Sequence, residues 1–163
     1  MAFNLFKKKN NGPLQVVAPV TGEVVLLEDV PDPVFSQKMM GDGVAVMPSG
    51  GAVVSPVDGT VEMVADTGHA VGVKSGDGTE FLIHIGLETV SLKGQGFSVK
   101  VSQGDKVSAG QPLIEADWAY LKEHAASIVT PIVVTNGEGR TISREADGPC
   151  AAGETVILSV SAD

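Results

Sequence analysis

Apolar residues fall in short runs: Val16-Val17, Val24 to Leu27, Val44 to Met47, Val53-Val54, Phe81 to Ile85, Ile132 to Val134 and Val156 to Val160. Gly, Pro, Asp and Ser separate them. Such runs are strand-length, and a 3.6-residue apolar period is almost absent, so the pattern predicts an all-β fold, a sandwich or a barrel. With 20 glycines and 9 prolines, the connections should be tight turns, and strands containing Pro should lie at edges or begin with it. One short helix is expected over Asp117 to Ala126, Asp117 capping it and Trp118, Leu121 and Ala125 sharing a side. A second short helix is compatible with the pattern.

A weak repeat runs through this pattern. Ala18-Pro19-Val20-Thr21-Gly22-Glu23-Val24 matches Ser55-Pro56-Val57-Asp58-Gly59-Thr60-Val61, and Thr130-Pro131-Ile132-Val133 echoes its first half. Each reads as a Pro-initiated strand, a turn and a second strand, which implies a sandwich of related hairpins with some internal pseudo-symmetry.

Of the three histidines, His69 and His84 flank one predicted hairpin. Ala70 to Lys74 and Glu80 to Ile85 read as its strands, and Ser75-Gly76-Asp77-Gly78-Thr79 as its turn. A Gly76-Asp77 loop sets His69 directly opposite His84. An Asp77-Gly78 loop sets His84 opposite Val71, with His69 its diagonal neighbour. Either even-length loop places both imidazoles on one face, with Cβ atoms about 4.5–5.5 Å or 7–8 Å apart; an odd-length loop would separate them. Val71, Val73 and Leu82 would then floor the pair. An apolar floor keeps imidazoles neutral and leaves a ring nitrogen free to attack phosphorus. It also shields a phosphohistidine from water. His124, on the expected helix and directly after Lys122 and Glu123, reads as a solvated surface residue.

Charge narrows the partners. Three of the eleven basic residues are Lys7, Lys8 and Lys9, and no acidic residue precedes Glu23, so the rest of the chain sets eight basic against twenty acidic residues. Such a body repels nucleic acid and favours partners with a basic face. Residues 1–12 read as a tail, in which Phe3, Leu5 and Phe6 followed by the lysines could touch an anionic membrane weakly; residues 13–163 read as one domain. No run of roughly 18 apolar residues marks a transmembrane helix, and polar Asn10 to Pro13 stand where a signal peptide would be apolar. The lone Cys150, placed in a Gly/Pro/Ala-rich loop, fits a reducing compartment. The expectation is a cytoplasmic protein.

Thr67-Gly68-His69-Ala70, Phe81-Leu82-Ile83-His84-Ile85-Gly86-Leu87-Glu88-Thr89-Val90 and Leu92-Lys93-Gly94-Gln95-Gly96-Phe97 closely resemble the glucose-type IIA proteins of the phosphoenolpyruvate-dependent sugar phosphotransferase system. The resemblance extends to Glu28 to Phe35, Gly41 to Ala45, Ser55 to Thr60 and Thr130 to Val134, and thins beyond Asn136. It implies an all-β fold, an antiparallel β-sandwich of barrel-sandwich-hybrid kind, with a shallow apolar depression. In it His84 would be phosphorylated, His69 would steady the phosphoryl group and Thr67 would orient His69. It implies that the group arrives from the histidine-containing phosphocarrier protein and leaves to a cysteine of a IIB domain, on a IIB/IIC permease that phosphorylates the sugar. Val34, Phe35, Met39, Met40 and Val71 would meet partners through apolar contacts, and Asp32 and Glu88 through arginines. Relatives often carry aspartate at Glu88 and asparagine at Gly68. The resemblance also implies regulatory targets in some bacteria, namely sugar permeases, glycerol kinase and adenylate cyclase. No cofactor or intrinsic metal is expected, because two imidazoles make half of a tetrahedral zinc site; zinc would need a carboxylate from a partner.

Three other readings compete. A zinc hydrolase would need a third ligand, and Gly86 stands where a second histidine two residues on would serve. A biotinyl or lipoyl carrier, suggested by Val101 to Val107 and Gly110 to Leu113, would need a lysine at a hairpin tip beside methionine or aspartate, a setting Lys74 lacks. A regulatory binding module without catalysis is compatible with the first reading.

Overall fold

Alternate residues of two successive apolar runs, Val71 and Val73 on one and Phe81 and Ile83 on the other, are at most 1% exposed, while their neighbours on each strand face the other way. This period-2 burial recurs through the computed structural model, which describes residues 12–163. The expected tail, Phe3, Leu5, Phe6 and the three lysines included, lies outside the described residues but for Gly12.

Eight strands form the main sheet: β2 (Thr21–Leu26), β3 (Asp42–Gly50), β5 (Gly59–Val64), β6 (Ala70–Ser75), β7 (Glu80–His84), β9 (Lys106–Val107), β11 (Thr130–Val134) and β13 (Gly148–Cys150). Their spatial order is β13-β2-β3-β11-β7-β6-β5-β9. Two three-stranded sheets accompany it. In one, β14 (Val156–Ala162) lies between β1 (Leu14–Val17) and β12 (Arg140–Arg144); in the other, β10 (Pro112–Ala116) lies between β4 (Val53–Val54) and β8 (Phe97–Val99). The pairings are antiparallel, as expected of a sandwich.

The sequence repeat is visible as symmetry. Val17 N–H donates to Pro56 O at 3.0 Å and Val54 N–H donates to Pro19 O at 2.7 Å, so the two copies exchange equivalent bonds. The prolines occupy bends ahead of β2 and β5 rather than opening the strands, because Pro19 and Pro56 serve there as carbonyl acceptors and have no N–H to contribute to a ladder. Elsewhere Pro112 opens β10 and Pro149 sits on edge strand β13, but against expectation Pro131 and Pro48 lie within the interior strands β11 and β3; Pro131 precedes the pairing with β7, which begins at Ile132, and Pro48 lies beyond the pairing with β11, which ends at Val46. Cys150 ends β13 instead of lying in a loop, and burial pushes its thiol pKa up.

The main core fills the space between the sheets with Val16, Phe81, Ile83, Leu113, Ile132 and Leu158 among others. A second cluster covers the opposite face of the large sheet. There Leu27, Val30 and Phe35 pack on Ala45, Leu87, Val129 and Val133, with Val25 and Leu82 at the margin. Strand β11 is consequently buried along its whole length, the reason Thr130 to Val134 reads as a continuous apolar run rather than an alternation. The covering segment contains helix α1 (Pro33–Ser36), where Asp32 accepts from Val34 N–H at 3.0 Å and Pro33 occupies the first turn. Helix α2 (Trp118–His124) stands within the expected span with Asp117 at its cap, accepting from Tyr120 N–H.

The β6–β7 hairpin departs from both expected registers. Its loop is Gly76-Asp77-Gly78, three residues long, so His84 faces Ala70, Val71 faces Ile83 and Gly72 faces Leu82. The turn chemistry dictates this length. Asp77 accepts from Thr79 N–H at 3.0 Å and from the Ser75 hydroxyl, Ser75 N–H donates to Thr79 O at 2.9 Å, and Gly78 adopts φ +92°. A three-residue loop whose last member is left-handed is the standard bulged hairpin, and glycine meets that demand without steric cost. Val71 and Val73 therefore point into the main core, and the floor beside His84 is Ala70, Gly72 and Leu82. Val71 is wholly buried and offers no surface to a partner, which corrects its expected docking role.

Candidate functional site

An odd register ought to have parted the histidines, yet their ring centroids lie 5.0 Å apart at an interplanar angle of 76°. The resolution is that β6 begins at Ala70, so His69 lies just outside the strand and escapes strict alternation. Ile85 N–H donates to His69 O at 2.7 Å, which keeps the backbones paired. Immediately before, Gly68 turns left-handed at φ +73° and its N–H donates to Ala65 O. That turn brings the Thr67 hydroxyl back to 2.5 Å from His69 Nδ1.

His84, the last residue of β7, is held differently. Its Nδ1 donates to Gly86 O at 2.7 Å, an arrangement that puts the ring proton on Nδ1 and leaves a lone pair on Nε2. Gly86 has φ +75°, and a Cβ there would come within 2.7 Å of Thr89 Cγ2 and 2.9 Å of Ser127 O. Only glycine fits. The Phe35 ring, 4% exposed, lies 5.2 Å from the His84 ring; it forms a wall of the site rather than part of its exposed rim.

Both imidazoles have lowered pKa values. For His69 the cause is burial, followed by the charge of His84; for His84 it is burial, opposed by the Gly86 carbonyl and by the Asp32 carboxylate. A histidine that resists protonation keeps its nucleophilic lone pair.

Of the apolar side chains on the segments next to Phe35 and Gly86, Val34, Met39, Met40 and Val90 are exposed, Met39 most of all at 68%. Asp32 is half-buried at the cap of α1, and Glu88 is exposed at the start of the 3-10 turn Thr89–Leu92. The structure thus brings His69, His84, Thr67 and Phe35 together. His124 lies elsewhere, stacked on Tyr120 at 4.1 Å. Two contributors were missed from sequence, the Gly86 carbonyl and the His69 carbonyl. Among the described residues no group of three His, Cys, Asp or Glu side chains could hold a metal ion, and the two nitrogens of this pair do not by themselves complete a tetrahedral shell. Nor is any described helix long and apolar enough to cross a membrane.

The family model described as the phosphoenolpyruvate-dependent sugar phosphotransferase system, EIIA 1, matches residues 14–139. The chain belongs to that family. It is 49% identical over 160 residues to the glucose-specific EIIA component of Oceanobacillus iheyensis, covering 96% of this chain and 97% of that one. It is 54% identical over 143 residues to the glucose-specific EIICBA component of Staphylococcus carnosus, covering 88% of this chain but spanning only 21% of that longer protein. Among solved structures, glucose permease IIA from Mycoplasma capricolum superposes with a TM-score of 0.86 at 38% identity, over 91% of this chain and 96% of that one. The chain is a phosphoryl-carrying component of the sugar phosphotransferase system, and its sandwich is the fold of the glucose IIA structure.

Proposed function

We propose that His84 Nε2 accepts a phosphoryl group from the histidine-containing phosphocarrier protein and yields it to a cysteine of a IIB domain. One observation carries this reading: two pKa-lowered imidazoles 5.0 Å apart, each with Nδ1 engaged by a neighbour, so that Nε2 is the atom left for chemistry on both. In the transfer the His84 Nε2 lone pair forms the new N–P bond as the donor's N–P bond breaks. Once the group is on His84, the Nε2–H of His69, directed by Thr67, donates to a phosphoryl oxygen and offsets the charge that gathers there as the group leaves for the IIB cysteine. Alignment matters because an imidazole aimed away from the phosphorus loses the advantage of a preset geometry.

Exposed Val34, Met39 and Met40 supply an apolar docking rim, with Phe35 behind it, and Asp32 and Glu88 meet arginines of the partners. Phosphorylation adds up to about two negative charges to this face, so partners that read the carrier's state, the permeases, glycerol kinase and adenylate cyclase implied by the resemblance, would dock here. The transfer needs no metal, and zinc would join the histidines only with a partner's carboxylate. Glucose is the proposed sugar. A glucoside-specific EIICBA relative from Staphylococcus carnosus matches at 50% identity, which accords with sugar choice being made by the IIB and IIC parts.

The test is incubation with phosphoenolpyruvate, enzyme I and the phosphocarrier protein, then mapping of acid-labile phosphate. Wild type should label, His84→Ala should not, and His69→Ala should label without onward transfer. An unlabelled wild-type protein overturns the reading.

A further inference from the structure

Three successive peptide planes follow the His84 ring, and each is pinned. In the first, Ile85 N–H donates to His69 O at 2.7 Å. In the second, Ile85 O accepts from Thr89 Oγ1 at 2.7 Å. In the third, Leu87 N–H donates to Ser127 O at 2.8 Å, which turns the other end of the same plane, Gly86 O, toward His84 Nδ1. The first and third pins are backbone to backbone and recur whatever the side chains are. The second is a side chain. Thr89 is 0% exposed, and its methyl carbon would stand only 2.7 Å from a Cβ on Gly86, so the one residue both bonds Ile85 and packs on Gly86.

We infer that Thr89 is a positioning residue that sets the tautomer of His84, by holding the Ile85–Gly86 segment so that Gly86 O captures the Nδ1 proton and Nε2 keeps its lone pair. A neutral imidazole in water prefers its proton on Nε2, the tautomer that cannot attack phosphorus from that atom. The Gly86 carbonyl inverts the preference, and a carbonyl at the end of a left-handed glycine is free to swing unless its neighbours are tied. Thr89 ties the adjoining plane. At metal centres, hydrogen bonds of this kind behind a ligating histidine change affinity or activity by roughly 10–100-fold when removed, and the same scale is expected here. Its importance for phosphoryl transfer rests on His84 being the acceptor; its effect on the tautomer does not.

The test uses the intact protein with nitrogen-15 in its histidine rings. Wild-type His84 should show a protonated Nδ1 and an unprotonated Nε2. Thr89→Val keeps the size and loses the hydroxyl, and should move protonation toward Nε2 and slow phosphoryl acceptance by roughly tenfold, with KM for the phosphocarrier protein unchanged. Thr89→Ser, which restores the hydroxyl, should return both readouts. If Thr89→Val does not fold, Thr89→Cys, a weaker donor of similar size, should give an intermediate nitrogen pattern. Wild-type nitrogen signals in folded Thr89→Val or Thr89→Cys overturn the inference, as does a slower rate without a change of tautomer. Failure of wild type to take phosphate would instead sink the carrier reading, with the nitrogen signals still deciding the role of Thr89.

Discussion

The two histidines share one site but owe their aim to different structure. His84 ends a ladder: strand register sets its face, Gly86 sets its proton, and Phe35 from a distant segment walls it in. His69 stands just off a strand, and its aim comes from the local turn Ala65 to Gly68 together with one hydroxyl, Thr67. The contrast suits their proposed roles. The residue proposed to form the covalent bond is placed by long-range structure, whereas the residue proposed to steady the phosphoryl group is aimed by one local turn and one hydroxyl.

The comparison can be broken most forcefully at the glycines. Gly86→Ala faces a left-handed φ, a threonine methyl carbon at 2.7 Å and a backbone oxygen at 2.9 Å. It should cost roughly 2–4 kcal/mol in urea unfolding. Gly68→Ala is also left-handed, but its closest contacts, at 3.1 Å, are the Phe97 and Val99 side chains, which can give way; its cost should be about 1 kcal/mol. Equal losses would mean that the two aims are equally rigid. Thr67→Val should leave stability nearly unchanged and slow onward transfer by roughly 10–100-fold while His84 still labels. Loss of labelling as well would show that His69 contributes to acceptance, contrary to the division proposed.

The smallest effect concerns protons. Both histidines should titrate below the ordinary value of 6.5 in an NMR pH series, and Phe35→Ala should raise the His84 midpoint toward that value by admitting water while leaving His69 nearer its own. The sign for stability follows. Above pH 6.5 both folded and unfolded chains hold neutral imidazoles; as pH falls from 6.5 through the lowered folded midpoints, the unfolded chain takes protons first and stability is lost. Replacing both histidines with glutamine should flatten the urea midpoint across that window, and a slope that survives the replacement would place its origin in other groups.

Much of this was legible because it depends on neighbours in sequence. Apolar runs marked the strands, Asp117 marked the cap of α2, and the repeat at Ala18 and Ser55 emerged as paired hydrogen bonds. Helix α1 escaped because four residues are too few to display a period, although Asp32-Pro33 carried a cap signal. The hairpin register was missed by one residue. The signal was present in Gly78, suited to the left-handed third place of a three-residue loop, but Gly76-Asp77 and Asp77-Gly78 satisfy two-residue turns equally well on paper. That slip sent Val71 to the wrong face, since with a period of two every side chain reverses when the register moves by one.

By itself the sequence determined the β-rich class, the hairpin that carries a histidine at each end, and the family to which the chain belongs, since periodicity, turn residues and local motifs are properties of adjacent positions. Tertiary structure decided which nitrogen of each ring is free, that Phe35 lies against His84 rather than on the rim, and that Thr89 is buried beneath Gly86. Those facts depend on where backbone carbonyls point and on which distant segment covers the sheet, and neither is encoded in any short stretch of residues.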